Sequence, residues 1–532
     1  MPLDSAVGAF SPEAPWTVDP AKLVWRRDLA SLRSSTRAEV PQLLRRRRVP
    51  PGSRVFVVGW RLGIAMAAWW LSDRKKGTNI SRAGLSRRLR IAFEKLGPTF
   101  IKLGQILSSG EGVFPPELVS EFSLCRDQVP PESFASVRRI VEEDLGKPLN
   151  EVFSAFDPVP LAAASIAQVH AATLRTGEQV VVKVQRPTVA TMVKRDLATM
   201  SWIAPLLVGR IPVTALANPP ALVELFAETI VEELDFRLEA DNMLDVARVL
   251  TRSQQSAIVV PRPHAQLVTR RVLVMERLDG FAWGDAEEMR AAGIDTALVL
   301  HQGLVAFLEG VMLYGVFHGD LHGGNLFVRT DGRVALLDFG ITGRLNEPER
   351  LAFLRLVVGA TGNDVTAQLE ALRDLGAFPP DIDVPEVIKA LGLDRPPLDP
   401  MQMTVEQLTK EMRELTKRLL GYGARMPKEL MLFVKDLLFL DGAMATMAPD
   451  VDLISEIMKV VVYFHEHHGE RIAREIGVPF ESEPAVDVDA MRAAFGFADS
   501  PEPITHSELQ RRREVIRGRF EESRDRRFRR RQ

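Results

Sequence analysis

Three side chains near the middle of the chain stand at offsets that suit phosphoryl transfer. Asp320 and Asn325 lie five residues apart in His318-Gly319-Asp320-Leu321-His322-Gly323-Gly324-Asn325, and Asp338 follows Asp320 by eighteen in Asp338-Phe339-Gly340. A carboxylate in the first position can orient an acceptor hydroxyl and take its proton. An amide oxygen and a second carboxylate are hard ligands of the kind Mg²⁺ selects. Catalytic Asp, metal-binding Asn and metal-binding Asp follow one another in this order and spacing in kinase-type sites. Leu326 to Val328 and Val334 to Leu337 read as short strands joined by a turn at Asp331-Gly332, which would deliver Asp338. Asp-Phe-Gly alone reads as an ordinary turn, since turns favour Asp and Gly. The joint match, with strand-like segments between, outweighs that bland reading.

A lysine sits inside an apolar strand, Val180-Val181-Val182-Lys183-Val184. Taken alone, Lys183 fits a solvent-facing edge strand as well as a buried ion pair. Beside the other motifs it fits the lysine that contacts nucleotide phosphates and pairs with a helix glutamate. Ala221 to about Val249 reads as one amphipathic helix, with Leu222, Leu225, Phe226, Thr229, Ile230 and Leu234 near helical period. It carries Glu228, Glu232, Glu233, Asp235 and Glu239, and period alone does not choose the partner. Upstream of Lys183, where kinases carry a Gly-rich loop, the chain reads Pro160-Leu161-Ala162-Ala163-Ala164-Ser165-Ile166-Ala167-Gln168-Val169-His170, with no glycine. The alanine Cβ disfavours φ > 0, so this loop cannot wrap phosphates in the same way.

Together these segments resemble the ABC1/UbiB/ADCK (AarF) family of atypical protein-kinase-like proteins. Ala162-Ala163-Ala164-Ser165 matches the family's alanine-rich loop, and Lys183-Val184-Gln185-Arg186-Pro187 its lysine strand. Lys102-Leu103-Gly104-Gln105 matches its KxGQ signature and Glu233-Leu234-Asp235 its ExD motif. Glu239 falls where the family's lysine-pairing glutamate lies. Aminoglycoside and choline phosphotransferases share the His-Gly-Asp loop but lack a KxGQ segment. One departure is Ser108-Ser109-Gly110-Glu111-Gly112, where many relatives have a Ser-Thr-Arg-Pro-Asp-like run.

The resemblance implies an α+β, bilobal protein-kinase-like fold with a helical N-terminal KxGQ extension and a helix-rich C-terminal lobe. It implies ATP or ADP and Mg²⁺ as cofactors. Asn325 and Asp338 would hold the metal, Lys183 fixed by Glu239 would position the phosphates, and Asp320 would act on the acceptor. Backbone of Ala162, Ala163, Ala164 and Ser165 would cover the nucleotide. Met275 and Glu276 fall where a kinase hinge would bond adenine. Lys102 and Gln105 would fold over the site towards the regulatory residues Glu233 and Asp235, so that protein phosphorylation is self-inhibited. ATP hydrolysis would serve isoprenoid quinone or membrane lipid metabolism, with anionic lipid or quinone-pathway proteins as partners.

The 532 residues exceed one typical domain, and a hydrophobic content of 46 % is ample for a packed core. A net charge of −2 gives no global attraction to nucleic acid. Arginine clusters at Arg45 to Arg48 and in the C-terminal tail from Arg511 are local basic patches that could touch acidic lipid; a solvated tail is the bland reading at the C-terminus. Cys125 is the single cysteine, which suits a reducing cytoplasm. The first twenty residues lack the basic start and apolar core of a secretory leader. Val55 to Leu71 is apolar, with Arg61 inside. Spanning a bilayer would place Arg61 near its centre, at a cost of roughly 2.5–3.5 kcal/mol. An interfacial helix with Trp60, Trp69 and Trp70 at headgroup level, peripheral to a membrane, and a core-packing helix both remain open. The His465-Glu466-His467-His468 run lacks zinc-site spacing and reads as a solvated helix end.

The expected organisation is a flexible N-terminus and basic, apolar extension over 1–90, with flexibility centred on the first forty residues. A KxGQ helical segment follows over 91–150, a small lobe over 151–280, a large lobe over 281–478 and a polar, basic tail over 479–532. Two other functions compete with the kinase-like ATPase: a nucleotide-gated lipid-binding scaffold with little turnover, and a small-molecule phosphotransferase.

Overall fold

The computed structural model describes residues 23–518 apart from 46–48, 75–77, 109–114, 126–129, 208–218, most of 395–420 and short stretches after 480. The chain forms two compact units: the first takes the described residues up to Asp279 together with Ala335–Thr342, the second Gly280–Val334 and the rest.

The first unit begins with helices α1 (Leu29–Leu43), α2 (Arg54–Ser72), α3 (Thr78–Leu96), α4 (Pro98–Ser108), α5 (Pro116–Phe122), α6 (Phe134–Leu145) and α7 (Leu149–Val152). Gly97, at φ +104°, ends α3, and Pro98 starts α4 at once. A glycine at positive φ followed by proline is a natural helix stop and start. Strands β1 (Phe153–Phe156), β2 (Ala162–Ala163), β3 (Ala167–Leu174) and β4 (Gln179–Gln185) follow, then α8 (Val189–Leu207), α9 (Pro219–Glu232) and α10 (Phe236–Arg252). Strands β5 (Ile258–Val259), β6 (Pro263–Val268) and β7 (Val272–Glu276) complete it. The sheet is antiparallel in the order β1-β3-β4-β7-β6, with β2 paired to β3.

Period two on β4 decides which way its lysine faces. Val180, Val182 and Val184 are fully buried and pack with Val137, Ile140 and Val141 of α6. Val181 and Lys183 therefore point from the opposite face. A second core joins α1, α2, α4, α8 and α9 through Val40, Val58, Phe100, Leu103, Leu197 and Phe226. Arg54 at the start of α2 bonds Asp196 of α8 at 2.6 Å, and Asp196 is completely buried. Removing one partner of such a pair costs about 3–5 kcal/mol, so this contact fixes α2 to the unit.

Two expectations are corrected here. The segment expected as one helix from Ala221 to Val249 is two, α9 and α10, interrupted at Glu233-Leu234-Asp235. Asp235 has extended backbone and accepts the Arg237 N–H at 3.1 Å, so it caps a new helix rather than continuing the old one. The expected flexibility up to residue 40 does not hold for α1. Arg33 donates to Asp241 at 3.0 Å and to Asn242 at 3.2 Å, and Arg37 donates to Glu232 at 3.0 Å. Residues 1–22, Arg46 to Arg48 and most of the C-terminal tail lie outside the described residues, as do Ser109 to Gly112.

The second unit starts with β8 (Phe281–Ala282), α11 (Ala286–Ala291) and α12 (Thr296–Glu309), which runs on into a π-helical turn at Gly310–Tyr314. β9 (Val316–His318) and β10 (Leu326–Val328) flank the His-Gly-Asp loop, and β10 pairs with β8. β11 (Val334–Leu336) and β12 (Thr342–Arg344) flank Asp338, on the stretch Ala335–Thr342 that belongs to the first unit. Gly343 is needed beneath Phe317, because a Cβ there would lie 2.2 Å from the ring. Helices α13 (Glu347–Thr361), α14 (Val365–Asp374), α15 (Val384–Leu391), α16 (Lys428–Met447), α17 (Leu453–Ile476) and α18 (Val488–Ala494) make up the rest of the described unit. Pro379-Pro380 falls between α14 and α15, and Pro427 precedes α16. The core packs Val305, Met312, Leu354, Val460 and Phe464 together. The histidine run is not a helix end, although Glu466 and His467 are exposed. It lies inside α17, and His468 Nε2 and Tyr463 Oη both reach the fully buried Glu309 at 2.8 Å.

Candidate functional site

In the first unit one ammonium joins two carboxylates from distant parts of the chain. Lys183 Nζ lies 2.7 Å from Glu239 Oε1 and 3.0 Å from Asp338 Oδ2, over the Phe236 ring at 5.5 Å. The helix break at Asp235 chooses the partner glutamate: Glu239 sits in the first turn of α10, where a carboxylate also suits the helix dipole. Asp338 is held from its own backbone, since Gly340 N–H donates to Oδ1 at 2.8 Å. Asn242 of α10 donates to the Phe339 carbonyl at 2.8 Å. The N-terminal helix thus braces the same element, because Arg33 holds Asn242 in turn. Lys102 of α4 lies 3.1 Å from Glu233, and Gln105 is half-buried one turn further along. Asp235 does not join Lys102 in this arrangement; it caps α10 and pairs with Arg237 at 2.7 Å.

These charges are far from their ordinary titration ranges. Burial would raise the Asp338 carboxyl, but Lys183, Lys102 and the Gly340 N–H more than reverse this and hold it well below the usual range. Burial would lower Lys183, but Asp338 and Glu239 keep its ammonium above the usual lysine range. Glu239 is pushed up to about 7, first by burial and then by the charge of Asp338, against the pull of Lys183. A raised carboxyl pKa means the folded state holds the proton more tightly, so stability falls as pH rises from about 4.5 to about 7. The expected result is that Glu239→Gln, which has no such titration, gains stability on the parent by about 1–3 kcal/mol across that window. Paired urea melts at intervals from pH 4.5 to 8 measure it; a constant difference between the two proteins would contradict it.

The alanine-rich loop is a seated hairpin. Ala162 pairs with Val169 and Ala163 with Gln168, and Ala164 N–H donates to the Ala167 carbonyl at 2.8 Å. Ser165 is buried at the turn. Arg186, just after β4, donates to the Ala164 carbonyl, the Pro130 carbonyl and Glu132, each at 3.0 Å. At the expected hinge, Glu276 N–H already donates to Arg262 O at 3.0 Å and Arg277 N–H to Gln179 O at 3.3 Å. Adenine bonding to these two donors would require breaking those bonds.

In the second unit the His-Gly-Asp loop is ordered by its own side chains and by α16. His318 Nδ1 accepts the Asp320 N–H at 3.2 Å, and Asn325 Nδ2 donates to the Asp320 carbonyl at 3.1 Å. Asp436, fully buried on α16, accepts the Leu321 N–H at 2.9 Å. The neighbouring Lys435 forms an ion pair with Asp320. The sequence reading missed both of these residues. Their signal is an adjacent Lys-Asp pair inside the apolar run Met431 to Leu440.

Each unit, taken by itself, offers one residue of the type that ligates Mg²⁺. Asp338 offers a carboxylate whose side chain stays 41 % exposed while Lys183 and Glu239 are buried around it. The amide nitrogen of Asn325 is engaged on the loop backbone, and an amide oxygen is a hard ligand of the kind Mg²⁺ takes.

A lysine on a small antiparallel sheet paired with a helix glutamate and with the aspartate of an Asp-Phe-Gly turn, in a chain that also carries an ordered His-Gly-Asp loop in a helical unit, defines a kinase-like protein. The comparisons narrow the class. The ABC1 atypical kinase-like domain matches residues 124–372. An uncharacterized protein of Mycobacterium tuberculosis is 34 % identical over 452 residues, covering 81 % of this chain and 88 % of that protein. An uncharacterized aarF domain-containing protein kinase of Arabidopsis thaliana is 31 % identical over 442 residues, 76 % of this chain and 82 % of its own. The probable protein kinase UbiB of Aeromonas hydrophila is 32 % identical over 390 residues, 72 % of this chain and 70 % of its own. A solved Mycobacterium tuberculosis protein in complex with erythromycin aligns with 65 % of this chain and 91 % of its own, at 22 % identity and a TM-score of 0.40. The chain belongs to the ABC1/UbiB/aarF family of atypical kinase-like proteins.

Proposed function

We propose that this chain is a Mg²⁺- and ATP/ADP-binding kinase-like ATPase that acts peripherally at a membrane, in support of isoprenoid quinone or membrane lipid metabolism. The observation that carries the nucleotide part is the contact of Lys183 with both Glu239 and Asp338. Bound Mg²⁺ would neutralise phosphate charge. Asp338 and Asn325 would hold it, Lys183 would orient the phosphates, and Asp320 would orient the acceptor hydroxyl or water and take its proton. The Lys102–Glu233 pair holds the KxGQ helix within reach of the charge of Asp338, which supports self-inhibition of protein phosphorylation. Turnover of ATP by the purified protein, with and without Mg²⁺, tests this reading; nucleotide binding without hydrolysis in either condition would favour the scaffold reading.

The membrane part rests on α2. Two described helices are long and apolar enough to cross a membrane, Arg54–Ser72 and Thr296–Tyr314, and the second is largely buried in its own unit. On α2, Phe56, Trp60, Ile64 and Leu71 are 70, 70, 47 and 77 % exposed and recur near helical period. Trp69 is corrected from its expected headgroup role: its Nε1 donates to Ser81 of α3 at 3.0 Å. The opposite face of α2 lines an apolar cavity of about 180 Å³ with Phe93, Leu103 and Phe122. A cavity of this size and lining takes apolar guests, and it favours the lipid-binding scaffold as the second reading. Changing Phe56, Trp60 and Leu71 together to Ser removes roughly 1.5–3 kcal/mol of apolar burial per site. Binding to anionic vesicles in a flotation assay is then expected to fall at least about a hundredfold; undiminished flotation would contradict the interfacial role.

A further inference from the structure

We propose that Lys435 is a catalytic residue, the cation that meets the transferring phosphoryl group beside Asp320. This rests on the phosphoryl-transfer reading above. The loop from Asp320 to Asn325 reads Asp-Leu-His-Gly-Gly-Asn and carries no lysine or arginine of its own. The charge comes from α16 instead. Lys435 Nζ is paired with the Asp320 carboxylate and lies 3.4 Å from the Gly319 carbonyl. The two side chains are only 14 and 21 % exposed. An ion pair this sheltered is poorly explained by stability, because desolvation offsets most of the attraction.

The placement is built from two successive residues. Leu432, Asp436, Leu440, Ala443 and Met447 form the buried stripe of α16. Asp436 stands where an apolar side chain would otherwise pack, and it fastens Leu321 N–H at 2.9 Å. Its Oδ2 has no hydrogen-bond partner among the described residues. A buried carboxylate with one oxygen unmatched is costly, and its effect is to lock α16 to the catalytic loop so that the preceding residue reaches Asp320.

The chemistry gives that ammonium a task. The acceptor oxygen forms a bond to the γ-phosphorus, the bond from phosphorus to the β–γ bridging oxygen breaks, and ADP departs with that electron pair. The acceptor proton passes to Asp320. Negative charge therefore leaves the Asp320 carboxylate while the phosphoryl oxygens carry charge through the transition state. Lys435 keeps its proton throughout. Its attraction shifts from the neutralised carboxylate to the phosphoryl oxygens, a charge already in place where charge is stabilised.

The test compares Lys435→Gln and Lys435→Arg with the parent. Glutamine can still donate a hydrogen bond to Asp320 but has no charge, so a purely structural role survives it. Lys435→Gln is expected to bind MgADP within about threefold of the parent, to lose at least tenfold in affinity for MgADP with aluminium fluoride, and to lose about a hundredfold in kcat with little change in KM. Lys435→Arg is expected to recover most of both losses. A Gln variant that binds the aluminium fluoride complex as tightly as the parent overturns the role of Lys435 and leaves the nucleotide reading intact. That binding readout decides the matter even where parent turnover is too slow to follow. A parent that binds no Mg²⁺–nucleotide at all overturns the underlying reading, and the proposal with it.

Discussion

Asp338→Asn is expected to lower Mg²⁺-dependent ATP turnover by about a thousandfold or more. Two effects add. The carboxylate is the harder and more strongly charged ligand, and an amide replaces it with a neutral oxygen. The charge lost is also the one that burial opposes and that Lys183, Lys102 and Gly340 N–H jointly sustain, so the local field is built around it. The turn itself should survive, because an Asn Oδ1 can still accept the Gly340 N–H that Asp338 accepts at 2.8 Å. Unchanged far-UV circular dichroism with turnover lost is the expected pair of observations. An Asn variant that hydrolyses ATP at the parent rate would remove Asp338 from the metal role.

Lys183→Met should be nearly as damaging and should also destabilise the fold. It leaves Glu239, 4 % exposed, and Asp338 facing each other without the ammonium between them. Breaking a buried pair in this way costs about 3–5 kcal/mol. Part of that cost returns when the remaining carboxyl is neutral, so adding Glu239→Gln should recover about 1–3 kcal/mol without restoring nucleotide binding. Chemical denaturation of the single and double variants, with nucleotide titrations alongside, measures both. A recovery in the double variant no larger than the change Glu239→Gln makes in the parent at the same pH would show that Lys183 and Glu239 do not act as a pair.

The sequence made the chemistry legible where local rules operate. The offsets of Asp320, Asn325 and Asp338 survive as an ordered loop in one unit and a braced turn in the other. Period two on β4 is enough to turn Lys183 away from the valine core. Glu239 was different: Asp235 interrupts the helix and resets its phase, so counting forward from Leu222 could not reach the right glutamate. Family resemblance supplied it. The α1 helix was invisible for another reason. Beside the apolar contacts of Leu29, Val40 and Leu43, it is attached by Arg33 and Arg37 to Asp241, Asn242 and Glu232, and such polar attachments leave no hydrophobic period to read. Lys435 and Asp320 are 115 residues apart, and nothing local to either announces the other.

The most direct measurement is a titration of the purified protein with ATP and ADP, in the presence and absence of Mg²⁺. Saturable binding of one nucleotide per chain that requires Mg²⁺ is the expected result, and Asp338→Asn should abolish the metal requirement together with most of the affinity. Absence of binding, or binding indifferent to Mg²⁺ and to Asp338, would contradict a nucleotide site built on Lys183, Glu239 and Asp338.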